Sequence, residues 1–211
     1  MLKRKIISKL TEWKNNTANK ALLIKGARQV GKTTIVRQFA KANYKNFIEI
    51  NFEQMPLAKQ AFEGNLDARS VLINLSAMGF GPLEPGKTLI FFDEIQSCPK
   101  ARTAIKFLVE DGQYDYIESG SLLGINYRDV PSYPVGFEHE LDMFPLDFEE
   151  FLWAEGYESG ISYLKELFDK KEKVPFALNE KYETLFREYM VVGGMPEVVA
   201  DYAENHDFTR V

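Results

Sequence analysis

Residues 25–34 read Lys-Gly-Ala-Arg-Gln-Val-Gly-Lys-Thr-Thr, and Gly26 to Thr33 fit the pattern G-x-x-x-x-G-K-[ST] in full. The stretch follows the apolar run Ala21-Leu-Leu-Ile24, which predicts a buried strand, and it opens residues 33–42, which have helical spacing. Strand, glycine loop and helix in that order are the context the pattern needs. Glycines at both ends let successive backbone N–H groups curl toward one anion. The helix N-terminus adds a partial positive charge at the same place. The predicted phosphate cradle is therefore Gly26, Ala27, Arg28, Gln29, Val30, Gly31, Lys32, Thr33 and Thr34. Within it, Lys32 is suited to the β- and γ-phosphates of a nucleoside triphosphate, and the Thr33 hydroxyl to Mg²⁺.

Working outward, Leu89-Ile-Phe-Phe-Asp93-Glu94 is an apolar strand that delivers two carboxylates at its end. Asp93 is the candidate to hold Mg²⁺ with Thr33, and Glu94 to orient or deprotonate an attacking water. Residues 47–51 alternate like a strand, and Asn51 at its end is a candidate to hydrogen-bond Glu94 and hold it from water. A further strand over 114–119 is closed by Gly120. Ser119 and Ser121 are candidates to contact the γ-phosphate or the water, the alternative being a Ser-Gly-Ser turn without function. No Asn-Lys-x-Asp guanine-reading motif occurs, and Asp93-Glu-Ile-Gln is not the Asp-x-x-Gly of a GTPase. A small-molecule kinase would place several arginines over its phosphates, and beyond residue 128 only Arg187 and Arg210 are present.

The rest of the chain fits one α/β core followed by helices. The 211 residues are 45% hydrophobic and 27% charged, a soluble globular balance, and no apolar run approaches the ~20 residues of a membrane span. A single cysteine, Cys98, makes no internal disulfide, and a reducing cytoplasm is the expected setting. Leu2, Ile6, Ile7, Leu10 and Trp13 share a helical face, which predicts a core-docking helix, with a membrane or partner helix as the alternative. Helices are also expected over 56–62, 67–77 and 99–111. Residues 79–86 are expected to form a loop. Strands alternating with helices imply a mainly parallel sheet covered on both faces. Residues 127–145 break the pattern, with a strand or hairpin around 135–139. From residue 147 the reading is helical, over 147–155, 159–170, 178–191 and 195–205. A soft boundary near 145 divides a core, 1–145, from a small helical lid, 146–211. The net charge of −5 conceals an asymmetry: residues 1–50 hold 12 Lys/Arg against two Glu, and 129–164 hold nine acids and no Lys or Arg. A basic first third suits a polyanion, nucleotide or nucleic acid, the alternative being solvated helix faces.

As an ordered set, Lys25–Thr34, Asn51-Phe-Glu53, Leu89-Ile-Phe-Phe-Asp-Glu-Ile-Gln96, Gly120-Ser-Leu-Leu-Gly124, Pro134-Val-Gly136, Pro145-Leu-Asp-Phe-Glu-Glu-Phe-Leu152 and Gly193-Gly-Met-Pro-Glu197 resemble a prokaryotic family of AAA+-type ATPases of unassigned role, related to the archaeal ATPases. The resemblance implies an ASCE-type P-loop NTPase fold, with the sensor strand between the P-loop strand and the acid-tipped strand. It also implies a helical lid carrying Gly-Gly-Met-Pro, and a further C-terminal domain beyond these residues. ATP and Mg²⁺ are the implied ligands. AAA+ enzymes often use an arginine from a neighbouring subunit and another from the lid, so Arg128 is the finger candidate and Arg187 the lid candidate. The leading expectation is Mg²⁺-dependent ATP binding and hydrolysis coupled to a partner, a homo-oligomeric neighbour or an attached domain. The alternatives are a switch that binds without hydrolysing and a DNA-associated module; no membrane partner is expected.

Overall fold

The computed structural model describes residues 2–15, 20–121 and 134–210. In chain order its elements are α1 (Ile6–Asn15), β1 (Ala21–Gly26), α2 (Lys32–Asn43), β2 (Asn46–Asn51), α3 (Ala68–Ala77), β3 (Thr88–Asp93), α4 (Pro99–Asp111), β4 (Asp115–Ser121), β5 (Glu138–Met143), α5 (Phe148–Ala154), α6 (Glu158–Lys170), α7 (Phe176–Val192) and α8 (Pro196–Asn205). Short 3₁₀ helices occupy Pro56–Phe62 and Ile95–Ser97, the first over the residues where the sequence predicted a helix. Two compact units result, one of residues 7–143 and one of residues 2–6 with 144–210.

In the first unit the strands form one sheet in the order β2-β3-β4-β1-β5, with every pair parallel. The expected sensor strand, β4, lies between β1 and β3. A parallel sheet needs cover on both faces, and β3 is accordingly buried at every residue. On one face, Leu23, Ile50, Ile90, Phe92 and Tyr116 pack with Phe62, Val71, Leu75, Ile105 and Leu108 from the α3 and α4 side. Phe92 has the Phe52 and Phe62 rings at 5.8 and 5.6 Å, pairings that add to its area burial. Leu10 and Trp13 of α1 are buried too, and Trp13 meets the Phe39 ring of α2 at 6.3 Å, so α1 is a core-docking helix.

Two features depart from the sequence reading. Strand β4 runs on through Gly120 to Ser121, because Lys25 and Gly26 of β1 pair with them. The segment expected as a strand or hairpin around 135–139 is a parallel edge strand, β5, shifted to 138–143. Its sequence, Glu-His-Glu-Leu-Asp-Met, conceals a strand because its alternate residues are acidic. They are tolerated because cations answer them. Lys25 Nζ lies 2.6 Å from Glu140, and Arg102 Nη2 lies 2.9 Å from Glu138. Arg102 also sits 3.7 Å from Glu118 of β4, and these two side chains are essentially inaccessible (2% and 0%).

The helical unit has its own core, where Phe151, Val192, Val199 and Tyr202 meet Leu146. Asp147 caps α5, accepting from the Glu150 N–H at 2.9 Å, while Glu150 reaches back to the Asp147 N–H, a capping box. Residues 2–6, expected with the core, belong to this unit instead. Arg4 Nε lies 3.2 Å from the buried Glu150 carboxylate, Arg4 Nη2 donates to the Phe144 carbonyl at 2.6 Å, and the Lys5 N–H donates to Glu150 at 2.6 Å. Lys5 also pairs with Asp147 and Glu149, and Lys3 with Glu158. No periodicity spans those 140-odd intervening residues, which is why the pairing is not legible in the sequence.

Removing one partner of a buried ion pair leaves the other charge uncompensated. Arg4→Ala is therefore expected to destabilise the helical unit by about 3–5 kcal/mol, read as lost hydrogen-exchange protection across residues 144–210. Unchanged protection would refute the role given to Arg4. A second expectation concerns pH. Burial, reinforced by the nearby Glu138, holds the Glu118 carboxyl well above its ordinary value, and burial raises Glu138 as well. The folded chain thus keeps a proton that the unfolded chain releases in the ordinary carboxylate range. Stability from this pair is full below that range and declines as pH rises toward the folded value. Glu118→Gln should flatten that decline, so its melting temperature should fall less than that of wild type between about pH 5 and about pH 8. Parallel curves would count against it.

Candidate functional site

The loop after β1 makes its turn as its glycines allow. Gly31 has φ 92°, and Gln29 also takes a left-handed φ of 64°. Alternating handedness of this kind turns consecutive N–H groups inward into an anion-binding concavity. Gly26 is required for a different reason: a Cβ there would run into the Met143 carbonyl of β5 and lie 3.1 Å from Val30 Cγ2. Val30 is fully buried and anchors the loop, whereas Ala27, Arg28, Gln29 and Thr34 are exposed.

Lys32, at the first turn of α2, is buried, and its ammonium donates to the carbonyls of Gly26 and Ala27 at 3.1 and 2.8 Å. Burial pushes its pKa down, while the negative charges of Glu94 and Asp93 oppose that shift. A cation held this way is spanned across its own loop and ready for a stronger acceptor.

Asp93 ends β3 and is 2% exposed. Three donors from three elements converge on it. Thr33 Oγ1 of α2 donates to Oδ2 at 3.0 Å, Asn51 Nδ2 of β2 donates to the same oxygen at 2.9 Å, and the Ser119 hydroxyl of β4 donates to Oδ1. The sheet register produces this directly, since Asn51 lies opposite Asp93 and Glu118 opposite Phe92. Asn51 in turn accepts from the N–H groups of Glu53 and Gln54 at 3.0 and 2.9 Å, which orients its amide.

Here the structure corrects an expectation. Asn51 is on Asp93, not on Glu94. The register puts Asn51 and Asp93 side by side, whereas the backbone at Glu94 turns left-handed, with φ 54°. A non-glycine residue in that region is strained, and such strain concentrates at functional sites. The partner of Glu94 is Gln96, whose Nε2 donates to Oε2 at 2.6 Å. The sequence reading gives Gln96 no role. The signal was its place two residues past the acid, on a turn too short for periodicity to report. Ser119 is likewise brought to Asp93, while Ser121 is the last residue of β4.

Arg128 lies outside the described residues. Arg187 sits on α7 of the helical unit, exposed, 3.6 Å from Glu183 one turn away. Cys98 is buried, and burial raises its pKa, which disfavours a reactive thiolate.

The donor set suits Mg²⁺. Thr33 and Asp93 offer hard oxygens side by side, and among the described residues no group of three or more His, Cys, Asp or Glu forms a closed metal cage. Mg²⁺ is typically held by one or two carboxylates together with substrate phosphates. Among the described residues no helix is long and apolar enough to cross a membrane.

A family model described as the AAA domain matches residues 18–152. No curated protein matches the chain. Among solved structures, RuvB of Thermotoga maritima is 14% identical with a TM-score of 0.51, over 96% of this chain and 61% of that one. PCH-2 of C. elegans is 13% identical with a TM-score of 0.47, over 96% of this chain and 60% of that one. The ORC1 protein of Aeropyrum pernix, solved in complex with DNA, is 13% identical with a TM-score of 0.47, over 91% and 67%. The chain thus spans less than two thirds of the length of PCH-2 and of RuvB. At these identities the RuvB likeness speaks for the fold alone. The family match runs from just ahead of β1 into α5, takes in every strand of the sheet and each residue gathered around Asp93, and shows that the chain belongs to the AAA domain family.

Proposed function

We propose that the chain binds Mg²⁺-ATP in the loop between β1 and α2 and hydrolyses it. The observation that carries this reading is the meeting of Thr33 and Asp93 at 3.0 Å, at the mouth of a loop whose lysine is buried and spans two carbonyls. Those residues lie 60 apart in sequence and come together only because α2 starts where β3 ends.

The roles follow from chemistry. The loop amides and Lys32 take the phosphate oxygens, with Lys32 exchanging its carbonyl partners for more strongly accepting anionic ones. Thr33 and Asp93 are the residues that would hold Mg²⁺, which when bound neutralises charge on the phosphates. Asn51 and Ser119 orient the Asp93 carboxylate, as outer partners of a metal ligand do. Glu94 accepts a proton from water as the water oxygen bonds to the γ-phosphorus. The bond to the bridging oxygen then breaks, and its electron pair leaves with ADP. The assignment of ATP over other nucleotides rests on class. The helical unit is the candidate lid that passes nucleotide state to a partner, a neighbouring copy or an attached domain, and Arg128 and Arg187 remain candidates for charges supplied near the γ-phosphate.

The deciding experiment is phosphate release from Mg²⁺-ATP by the purified chain beside Glu94→Gln. Turnover should fall by about 10²–10⁴-fold in the variant, with nucleotide affinity retained. Binding without turnover in both proteins would replace hydrolysis with a nucleotide-operated switch. Lys32→Ala should remove the principal phosphate cation, so a fluorescent ATP analogue that titrates the wild type should fail to saturate the variant at the same concentrations, while both melt alike. Undiminished binding by Lys32→Ala would refute the cradle.

A further inference from the structure

Among the described residues, Glu94 has one hydrogen-bonding side chain committed to it. Gln96 Nε2 donates to Glu94 Oε2 at 2.6 Å. Gln96 Oε1 is buried and accepts no hydrogen bond among the described residues. A buried acceptor without a donor costs free energy unless a water or another donor meets it. Both residues belong to one tight segment: Glu94 is left-handed at φ 54°, and the 3₁₀ turn Ile95–Ser97 that follows is anchored by the fully buried Ile95. The Ser97 and Cys98 N–H groups close that turn onto the carbonyls of Glu94 and Ile95, each at 2.9 Å. Gln96 is thus mounted on a fixed backbone and aims its amide at one oxygen of the acid.

Asn51, which the sequence suggested as the partner holding Glu94 from water, is spent on Asp93 and on two backbone N–H groups. We propose that Gln96 is the positioning residue for Glu94. It ties down Oε2 so that Oε1 is the atom offered to water. This rests on the reading of Glu94 as the base in ATP hydrolysis.

The test compares kcat, KM and nucleotide affinity for wild type, Gln96→Met and Gln96→Glu. Methionine keeps length without a donor; glutamate keeps shape and replaces the donor with a second acid. Both should lower kcat by about tenfold to a hundredfold, the loss expected for one hydrogen bond to a charged group. KM, the affinity for the ATP analogue and the melting temperature should stay at wild-type values. A structural role alone would not reproduce the second readout: in a Glu94→Gln background, Gln96→Met should change residual turnover no further, because the two residues act as one unit. Should Gln96→Met fail to fold, Gln96→Glu decides. If wild type hydrolyses ATP and loses turnover on Glu94→Gln, yet both Gln96 variants match or exceed wild type, the positioning role is overturned while hydrolysis stands. If wild type shows no turnover, both fall together.

Discussion

A carboxylate buried at the end of a strand must be surrounded by donors, and in this chain three secondary elements are arranged to supply them. Asp93 accepts from Thr33, Asn51 and Ser119, one each from α2, β2 and β4. Hydrogen bonds to a charged acceptor contribute about 1.5–3 kcal/mol apiece, and a buried carboxylate that loses one meets the desolvation cost alone. The register of both strands flanking β3 and the starting point of α2 are thereby tied to a single side chain. A one-residue slip of β2 would carry Asn51 to the other face of the sheet. The phosphate loop inherits its position from the same constraint, since Lys32 and Thr33 are consecutive residues of one helix turn.

Much of this was legible in the chain itself. The glycine–lysine loop and the acid-tipped strand are local patterns with fixed spacing, and the apolar runs of β1 and β3 are long enough to declare buried parallel strands. What escaped was whatever depended on partners far away in sequence. Strand β5 is too acidic to look like a strand until Lys25 and Arg102 are placed beside it. Asn51 does stand at a strand end, but which of two adjacent carboxylates it meets is decided by register, and register is not written in one strand. Gln96 follows the acid pair closely, yet a 3₁₀ turn gives side chains no repeating face by which to judge where they point.

The charge asymmetry resolves in the same way. Lys3, Arg4, Lys5, Lys25, Arg37 and Lys45 each meet a carboxylate. Many charges of the basic third are therefore neutralised within the fold, several of them by the acidic stretch itself. That leaves less uncompensated positive charge for a polyanion than the sequence total suggests. Exposed pairs such as Lys45 with Glu84 contribute little to stability; the buried Arg4–Glu150 pair has a different weight because neither partner can turn to water.

That last pair has a bearing on how the protein is made. Its partners are separated by about 145 residues, so the helical unit is closed by a stretch of chain that leaves the ribosome well before the helices it joins. At roughly 5–20 residues per second, residues 2–6 wait several seconds or more for their partners. During that wait the α/β unit can fold on its own sequence, with its parallel strands already paired, while Arg4 and its neighbours stay solvated. The pair therefore orders one step in time: the helical unit closes only after its own helices have emerged.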